Sequence, residues 1–215
     1  MKTLLELAAD TSQDLRDQAA LRRIYHAGPG ETSLAKVADH IHALYRPYIE
    51  AAPFAVLATL GSQGLDTSPR GDAPGFVRVA DEHTLLLPDR RGNQRIDSLR
   101  NLVQDPRMAL LFLIPGCGEA LRVNGTARIS ASPELCAQFL VQDKPPTSVL
   151  VITVASVFFQ CARAIKRSGL WDPAAHVAKG TLPSPGTILE ALSQTGIDGA
   201  AYDAALQPRQ QATLY

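Results

Sequence analysis

The chain carries no surplus of charge. Lys plus Arg and Asp plus Glu each number 21 in 215 residues, so the formal net charge is zero. Proteins that hold nucleic acid through its phosphates need a basic excess, so this balance argues against that class while leaving room for a local positive pocket. Cysteine is scarce. Cys117, Cys136 and Cys161 are odd in number and none stand in CxxC spacing, which reads as reduced thiols and not as a disulfide framework. Zinc finds no ligand set either, because His40 and His42 lie two residues apart with no cysteine nearby. Long apolar runs are also missing. The longest, Met108–Ile114 and Val149–Phe159, fall well short of the ~20 residues that span a bilayer. Glu6 and Asp10 interrupt the first ten residues, unlike a secretory leader. Neither GxGxxG nor the glycine-lysine phosphate loop occurs, which disfavours the two commonest nucleotide folds. These absences together predict a cytoplasmic protein with no membrane or nucleic-acid partner and no metal.

What remains is an ordinary globular composition. Hydrophobic residues make up 46% and charged residues 20%, and a chain of this length buries about 70% of its unfolded surface, enough to fold without cross-links.

Residues 1–50 read as a helical extension. A break falls at Gly28-Pro29-Gly30. Thr32 or Ser33 could then cap a helix whose apolar face is Val37, Ile41, Leu44 and Tyr48, with Pro47 kinking or ending it. From Phe54 the period changes. Phe54–Leu60 and Leu65–Pro69 read as a hairpin around Gly61–Gly64. Phe76–Val79, Thr84–Leu87, Arg107–Ile114, Ala120–Ile129 and Val149–Phe159 read as further strands. Helices fit Ile96–Val103, Glu134–Val141 with Ser130 or Ser132 as cap, Ala162–Arg167, Thr187–Thr195 and Asp198–Leu206. The fold is thus mainly β. Six or seven antiparallel strands, mostly joined by short turns, are expected to close into a small barrel with peripheral helices. The last strand is bulky and β-branched, as a buried or interface strand would be.

The candidate chemistry lies between Thr67 and Leu102. Pro69-Arg70-Gly71-Asp72 ends a strand with an arginine beside a glycine. Arginine offers a planar fork to phosphate oxygens, and glycine lets a ligand approach the backbone. Asp89–Arg95 joins a strand to a helix start, where free N–H groups suit an anion and where Asn93, Gln94 and Arg95 add donors. The two loops look like halves of a phosphate clamp. The competing reading is that these arginines form ion pairs with Asp72, Asp89, Asp97 and Asp105.

Several pieces in order resemble the pyridoxamine 5′-phosphate oxidase-like, FMN-binding split β-barrel superfamily. They are Phe54–Thr59, Ser68–Asp72, Leu87–Asn93, Asp97–Leu102, Asp105–Arg107, Leu121–Gly125 and Arg163–Trp171. Within it the chain is most similar to a bacterial branch of FMN-dependent proteins of unassigned substrate. The resemblance covers roughly residues 50–175 and implies an FMN-binding split β-barrel over 51–175; the N-terminal helical extension (1–50) and a C-terminal helical tail (176–215) are read from the residues and lie outside it. It implies flavin mononucleotide at the interface of a homodimer. Arg70 would hold the phosphate or ribityl chain, and Asn93 and Arg95 the phosphate. Ser68 and Gly71 would line the flavin edge. Lys166 and Trp171 would reach the ring from the other subunit. A cation near the flavin pyrimidine would stabilise its reduced form, and an aromatic could pack on it. The further basic residues with which true pyridoxamine phosphate oxidases hold substrate phosphate have no counterpart that can be placed, which argues against the vitamin B6 reaction.

The implied function is an FMN-dependent oxidoreductase acting on an unidentified small molecule, with no catalytic residue assigned. A non-catalytic flavin-binding or sensing protein and an F420-binding split-barrel reductase are the alternatives. Haem would need a ligand such as His83, which falls in a turn. Cys161 reads as an inert thiol, although a flavin-linked role is open.

Overall fold

The computed structural model describes residues 3–215, so the Met1 and Lys2 ends of the expected extension lie outside the described residues. Contacts divide the chain into one unit up to Lys36 and a second from Val37 to Tyr215. In the first unit, α1 (Leu4–Ala8), α2 (Gln18–Ile24) and α3 (Glu31–Ala35) are short helices separated by irregular chain. Their starts carry local chemistry. Thr3 and Glu6 cap α1 reciprocally, and Asp17 accepts the Ala20 N–H at 2.7 Å.

The helix expected from Thr32 or Ser33 to Tyr45 does not form. Helix α3 starts one turn earlier, after Gly30, and stops at Ala35. Beyond it, Ala38 exchanges backbone hydrogen bonds with Val157, and the Ile41 N–H donates to Glu82 O at 2.7 Å. Ile41 joins the buried core. Sheet pairing and burial here override a fortuitous helical spacing. Helix α4 (Arg46–Ala51) then begins with Pro47 in its first turn. Proline fits there because the first turn needs no N–H donor, so Pro47 starts a helix and does not end one.

Seven strands follow: β1 (Phe54–Gly61), β2 (Gly64–Gly71), β3 (Arg78–Asp81), β4 (Thr84–Asp89), β5 (Arg107–Leu113), β6 (Ala120–Ser130) and β7 (Ser148–Gln160). They form one antiparallel sheet in the order β2-β1-β5-β6-β7-β4-β3. Between them lie α5 (Asp97–Gln104) and α6 (Pro133–Ala137). After them come α7 (Arg163–Ser168), α8 (Pro185–Leu192) and α9 (Gly199–Ala212). Helix α6 is capped by Ser132 and is shorter than its sequence pattern suggests. Among the described residues no helix is long and apolar enough to cross a membrane.

Alternate residues of the strands build the core. Ala55 and Leu57 of β1, Leu110 and Phe112 of β5, Leu121 and Val123 of β6, Leu150 and Ile152 of β7, and Leu85 and Leu87 of β4 are all buried in one cluster. Each of the larger side chains stabilises the fold by about 1.5–3 kcal/mol through burial, Ala55 by less. Strand β7 is central, between β6 and β4, and most of its apolar residues are buried within the chain, while Phe159 is exposed.

The sheet curls. Strand β2 is first in the order and β4 sixth, so five spacings of ~4.8 Å would separate them by roughly 24 Å in a flat sheet. Yet Arg70 Nη1 donates to Asp89 Oδ1 at 2.8 Å. Edge strand β2 and the sixth strand, β4, meet through side chains. The pairing order ends at β2 and β3, so the closed hydrogen-bonded barrel expected from the strand count is not formed. Edge strand β2 carries Pro69, a residue that cannot donate to a further strand.

One glycine is fixed by this pairing. At Gly125 the β6–β7 register shifts, and a Cβ there would lie 2.1 Å from Thr153 O. Backbone cannot yield as a flexible side chain can. Gly125→Ala is expected to lower stability by about 1–3 kcal/mol, read as a fall in the urea midpoint; an unchanged midpoint would show that the ladder gives way freely.

Candidate functional site

Strand β2 alternates, with Asp66, Ser68 and Arg70 half-buried on one face and Thr67, Pro69 and Gly71 exposed. The half-buried face is polar, unusual for a strand, and its partners explain it. Asp66 accepts the buried Ser98 hydroxyl at 2.8 Å, which ties β2 to α5. Asn101, also on α5, donates to Thr59 of β1 at 3.1 Å and packs against Gly61. Part of the motif at 97–102 therefore docks the helix and does not touch the site.

At the open end of this strand two ion pairs cross. Arg70 pairs with Asp89, and Arg90 Nε pairs with Asp72 Oδ2, each at 2.8 Å. One partner of each pair comes from the β2 end and the other from the β4 end. The side chains are only 4–18% exposed, so water screens these pairs weakly. Arg90 Nη1 also donates to Phe139 O at 2.7 Å. Arg70 is less complete: it gives Nη1 to Asp89, while its buried Nε has no partner among the described residues. A buried orphan donor costs about 1–3 kcal/mol.

Beside these pairs lies a cavity of about 1150 Å³. Its walls are β2 from Asp66 to Gly71, the segment from Pro88 to Leu99, Lys144–Thr147 and Tyr215. Five cationic side chains and three carboxylates line it, on a chain of zero net charge. No histidine or cysteine is among the lining residues, and no cluster that could hold a metal occurs among the described residues.

The 93–96 loop is tightly wound. Asn93 Oδ1 accepts the Arg95 N–H at 3.1 Å, and Gln94 and Ile96 both have positive φ, 63° and 50°. A β-branched residue in the left-handed region is strained, as at many ligand loops. The helix start is less of an anion site than its sequence implies. Asp97 occupies the first turn of α5 and pairs with Arg95 at 2.7 Å. Arg91 has no hydrogen-bond or carboxylate partner among the described residues.

Of the residues singled out by sequence, Ser68, Arg70, Gly71, Asn93 and Arg95 line this one cavity. Lys166 and Trp171 do not. Lys166 is exposed on α7, and Trp171 donates its indole N–H to Cys117 O at 2.6 Å. The ion-pair reading of the arginines holds as well: Arg70, Arg90, Arg95 and Arg107 pair with Asp89, Asp72, Asp97 and Asp105. Neither Gly71 nor Gly92 is required sterically, since a Cβ would meet nothing closer than 3.4 Å at the first and open space at the second. Cys161 is exposed and away from the cavity walls.

Two walls escaped the sequence reading. Lys144–Thr147 arrives because Ser148 pairs with Asp89 across β7 and β4. A tight turn precedes it. Gln142 and Asp143 both have positive φ between the paired Val141 and Lys144, as a mirror-image hairpin turn requires. The Lys-Pro-Pro-Thr run before a strand was its only local sign. Tyr215 follows α9, and nothing near it in sequence marks it.

A family model described as pyridoxamine 5′-phosphate oxidase matches residues 41–161, more than half of the chain. The chain belongs to this pyridoxamine 5′-phosphate oxidase-like family. Three solved structures resemble it. HupZ of Group A Streptococcus is 20% identical, with TM-score 0.44, over 54% of this chain and 90% of its own. A provisionally assigned pyridoxamine 5′-phosphate oxidase of Lactobacillus delbrueckii is 18% identical, with TM-score 0.45, over 56% and 95%. A Clostridium acetobutylicum protein related to general stress protein 26 is 13% identical, with TM-score 0.42, over 54% and 84%. These likenesses are too distant to carry activity across. No curated protein matches the chain.

Asp72 gives the site a pH dependence. Burial alone would raise its carboxyl, but hydrogen bonds from Tyr215, the Ala73 N–H and Arg90, with the Arg90 charge, hold it below its ordinary 3.8. A lowered folded value stabilises fully above the unfolded value and is lost as pH falls through the folded one. Asp72→Asn is therefore expected to be less stable near neutral pH, by about 1–3 kcal/mol. It should also lose less stability than the unmodified chain below about pH 4. Urea midpoints measured across pH test this; parallel curves would remove Asp72 from the acid transition.

Proposed function

We propose that the chain is an FMN-binding flavoprotein of the split β-barrel type, and an FMN-dependent oxidoreductase for a small molecule. The observation that carries this is Arg70: a guanidinium held by a single ion pair, with its buried Nε unpartnered, on the wall of a positively lined cavity. Family membership supports a flavin as the ligand, and the cavity matches or exceeds the roughly 300–1,000 Å³ common for small-molecule sites. The residues present fit such a group. Arg70 and the Asn93 amide would hold the phosphate, with Arg95 assisting from the exposed side of the loop. Ser68 and Gly71 would face the flavin edge. When bound, FMN supplies hydride or electron transfer. The protein's part is to orient the ring, exclude water and set the local charge.

Lys166 and Trp171 lie outside this chain's own cavity, which accords with a role across a homodimer interface. On this reading FMN binding and dimer formation go together, so sedimentation should give twice the 23.1 kDa chain mass when FMN is bound. A monomer that holds FMN would detach these two residues from the site.

The test of the cofactor is the absorption spectrum of the purified protein, with and without added FMN. Oxidised-flavin bands that bleach on reduction are expected. Arg70→Ala should weaken FMN by roughly 10- to 100-fold, the worth of a partly buried charge-assisted bond. Arg95 is 74% exposed and already paired with Asp97. Arg95→Ala should therefore cost only about 2- to 5-fold. Equal effects would misplace the phosphate, and a protein that binds no FMN would sink the proposal.

A further inference from the structure

Tyr215 is held into the cavity wall from three separate segments. Its phenol O–H donates to Asp72 Oδ1 at 2.7 Å. Its backbone carbonyl accepts from Lys144 Nζ at 3.0 Å. The Arg90 guanidinium carbon lies 5.6 Å from the centroid of its ring. The tether is itself anchored. Asp72 also accepts from Arg90, and Arg90 donates on to Phe139 O, so phenol, carboxylate, guanidinium and carbonyl form one continuous chain. The Asp72 carboxylate in turn raises the phenol pKa, so the O–H stays protonated and donating across the neutral range.

Such anchoring exceeds what a surface tyrosine needs. A hydroxyl bonded to a nearly buried carboxylate fixes where the ring stands, and the ring is the only aromatic side chain besides Phe76 on the cavity wall among the described residues. The other walls are mostly charged, amide, hydroxyl and proline groups, with Ile96 and Leu99 as the aliphatic members, and none of them offers a flat aromatic face to a planar ring. Phe76 is 8% exposed and belongs to the hydrophobic core, so little of it is free for a ligand.

We propose that Tyr215 is the aromatic wall on which the planar ring of the bound flavin packs, with Asp72 and Arg90 as the residues that position it. The proposal rests on the flavin reading above and adds a specific contact to it. Through this contact the segment after α9 becomes part of the cofactor site. The Asp72–Arg90 pair then has two tasks, joining the segments that leave β2 and β4 and aiming the ring.

Bound-flavin fluorescence tests this directly. Tyrosine in van der Waals contact quenches flavin emission by electron transfer, and phenylalanine does not. Trp171→Phe serves as the common background, so that tryptophan is removed as a quencher. In that background FMN is expected to be dark when bound. It should become bright in Tyr215→Phe and Tyr215→Ala, and dark again in Tyr215→Trp. The FMN dissociation constant should rise roughly 3- to 10-fold in Tyr215→Ala, the scale of one aromatic stacking contact. FMN bound equally tightly and equally quenched in Trp171→Phe with and without Tyr215→Phe would overturn the role of Tyr215 and leave the flavin reading standing. Failure of the unmodified chain to bind FMN would overturn both.

Discussion

The crossed ion pairs between the ends of β2 and β4 are the constraint on which the site depends. Backbone pairing makes a ribbon of seven strands and leaves its two ends open. Hydrophobic burial favours curling that ribbon around one core, but burial is non-directional and does not decide which residues meet at the seam. Arg70 with Asp89, and Asp72 with Arg90, do decide it. Each pair places opposite charges on opposite ends, so a slip of one residue along either strand would bring unlike partners apart and turn the side chains to the other face. Buried pairs of this kind are weak contributors to net stability, because desolvation offsets most of the attraction. Their value here is registry.

The same seam makes the cavity. Where side chains close a sheet in place of backbone, the two strand ends cannot approach as near as hydrogen-bonded neighbours, and space remains between them. That space is walled by the groups that made the seam, which explains why a chain of zero net charge has a locally positive pocket. It also explains the incomplete state of Arg70. A guanidinium that must reach across the seam to Asp89 cannot turn all its donors to the protein, and its buried Nε is left without a partner among the described residues.

Much of this was legible beforehand. The strands showed themselves by alternation and by turn residues, and all seven fall close to their expected positions. The clamp residues were legible because both loops carry their arginines and polar donors locally, at the ends of β2 and β4. The reading of those arginines as carboxylate-paired and the reading of them as ligand-binding each describe part of the molecule. The misreadings share one cause. Residues 36–45 have helical spacing, but Ala38 pairs with Val157 and Ile41 donates to Glu82, more than 100 and about 40 residues away in sequence respectively. Gly71 was read as letting a ligand approach the backbone, yet the glycines that backbone crowding requires lie elsewhere: Gly125, at a bulge against a distant strand, and Gly186 and Gly199, where α8 and α9 meet.

The sequence by itself determined the strand inventory, the family, and the two arginine loops, because these depend on local periodicity, turn chemistry and residue type. Tertiary structure alone decided that the loops face each other, that Arg70 and Arg90 exchange carboxylates, and that Lys144–Thr147 and Tyr215 complete the walls. Those outcomes follow from which strands pair and how far the sheet curls. Pairing is set by the burial of one shared core, a property of the whole chain that no short stretch of residues contains.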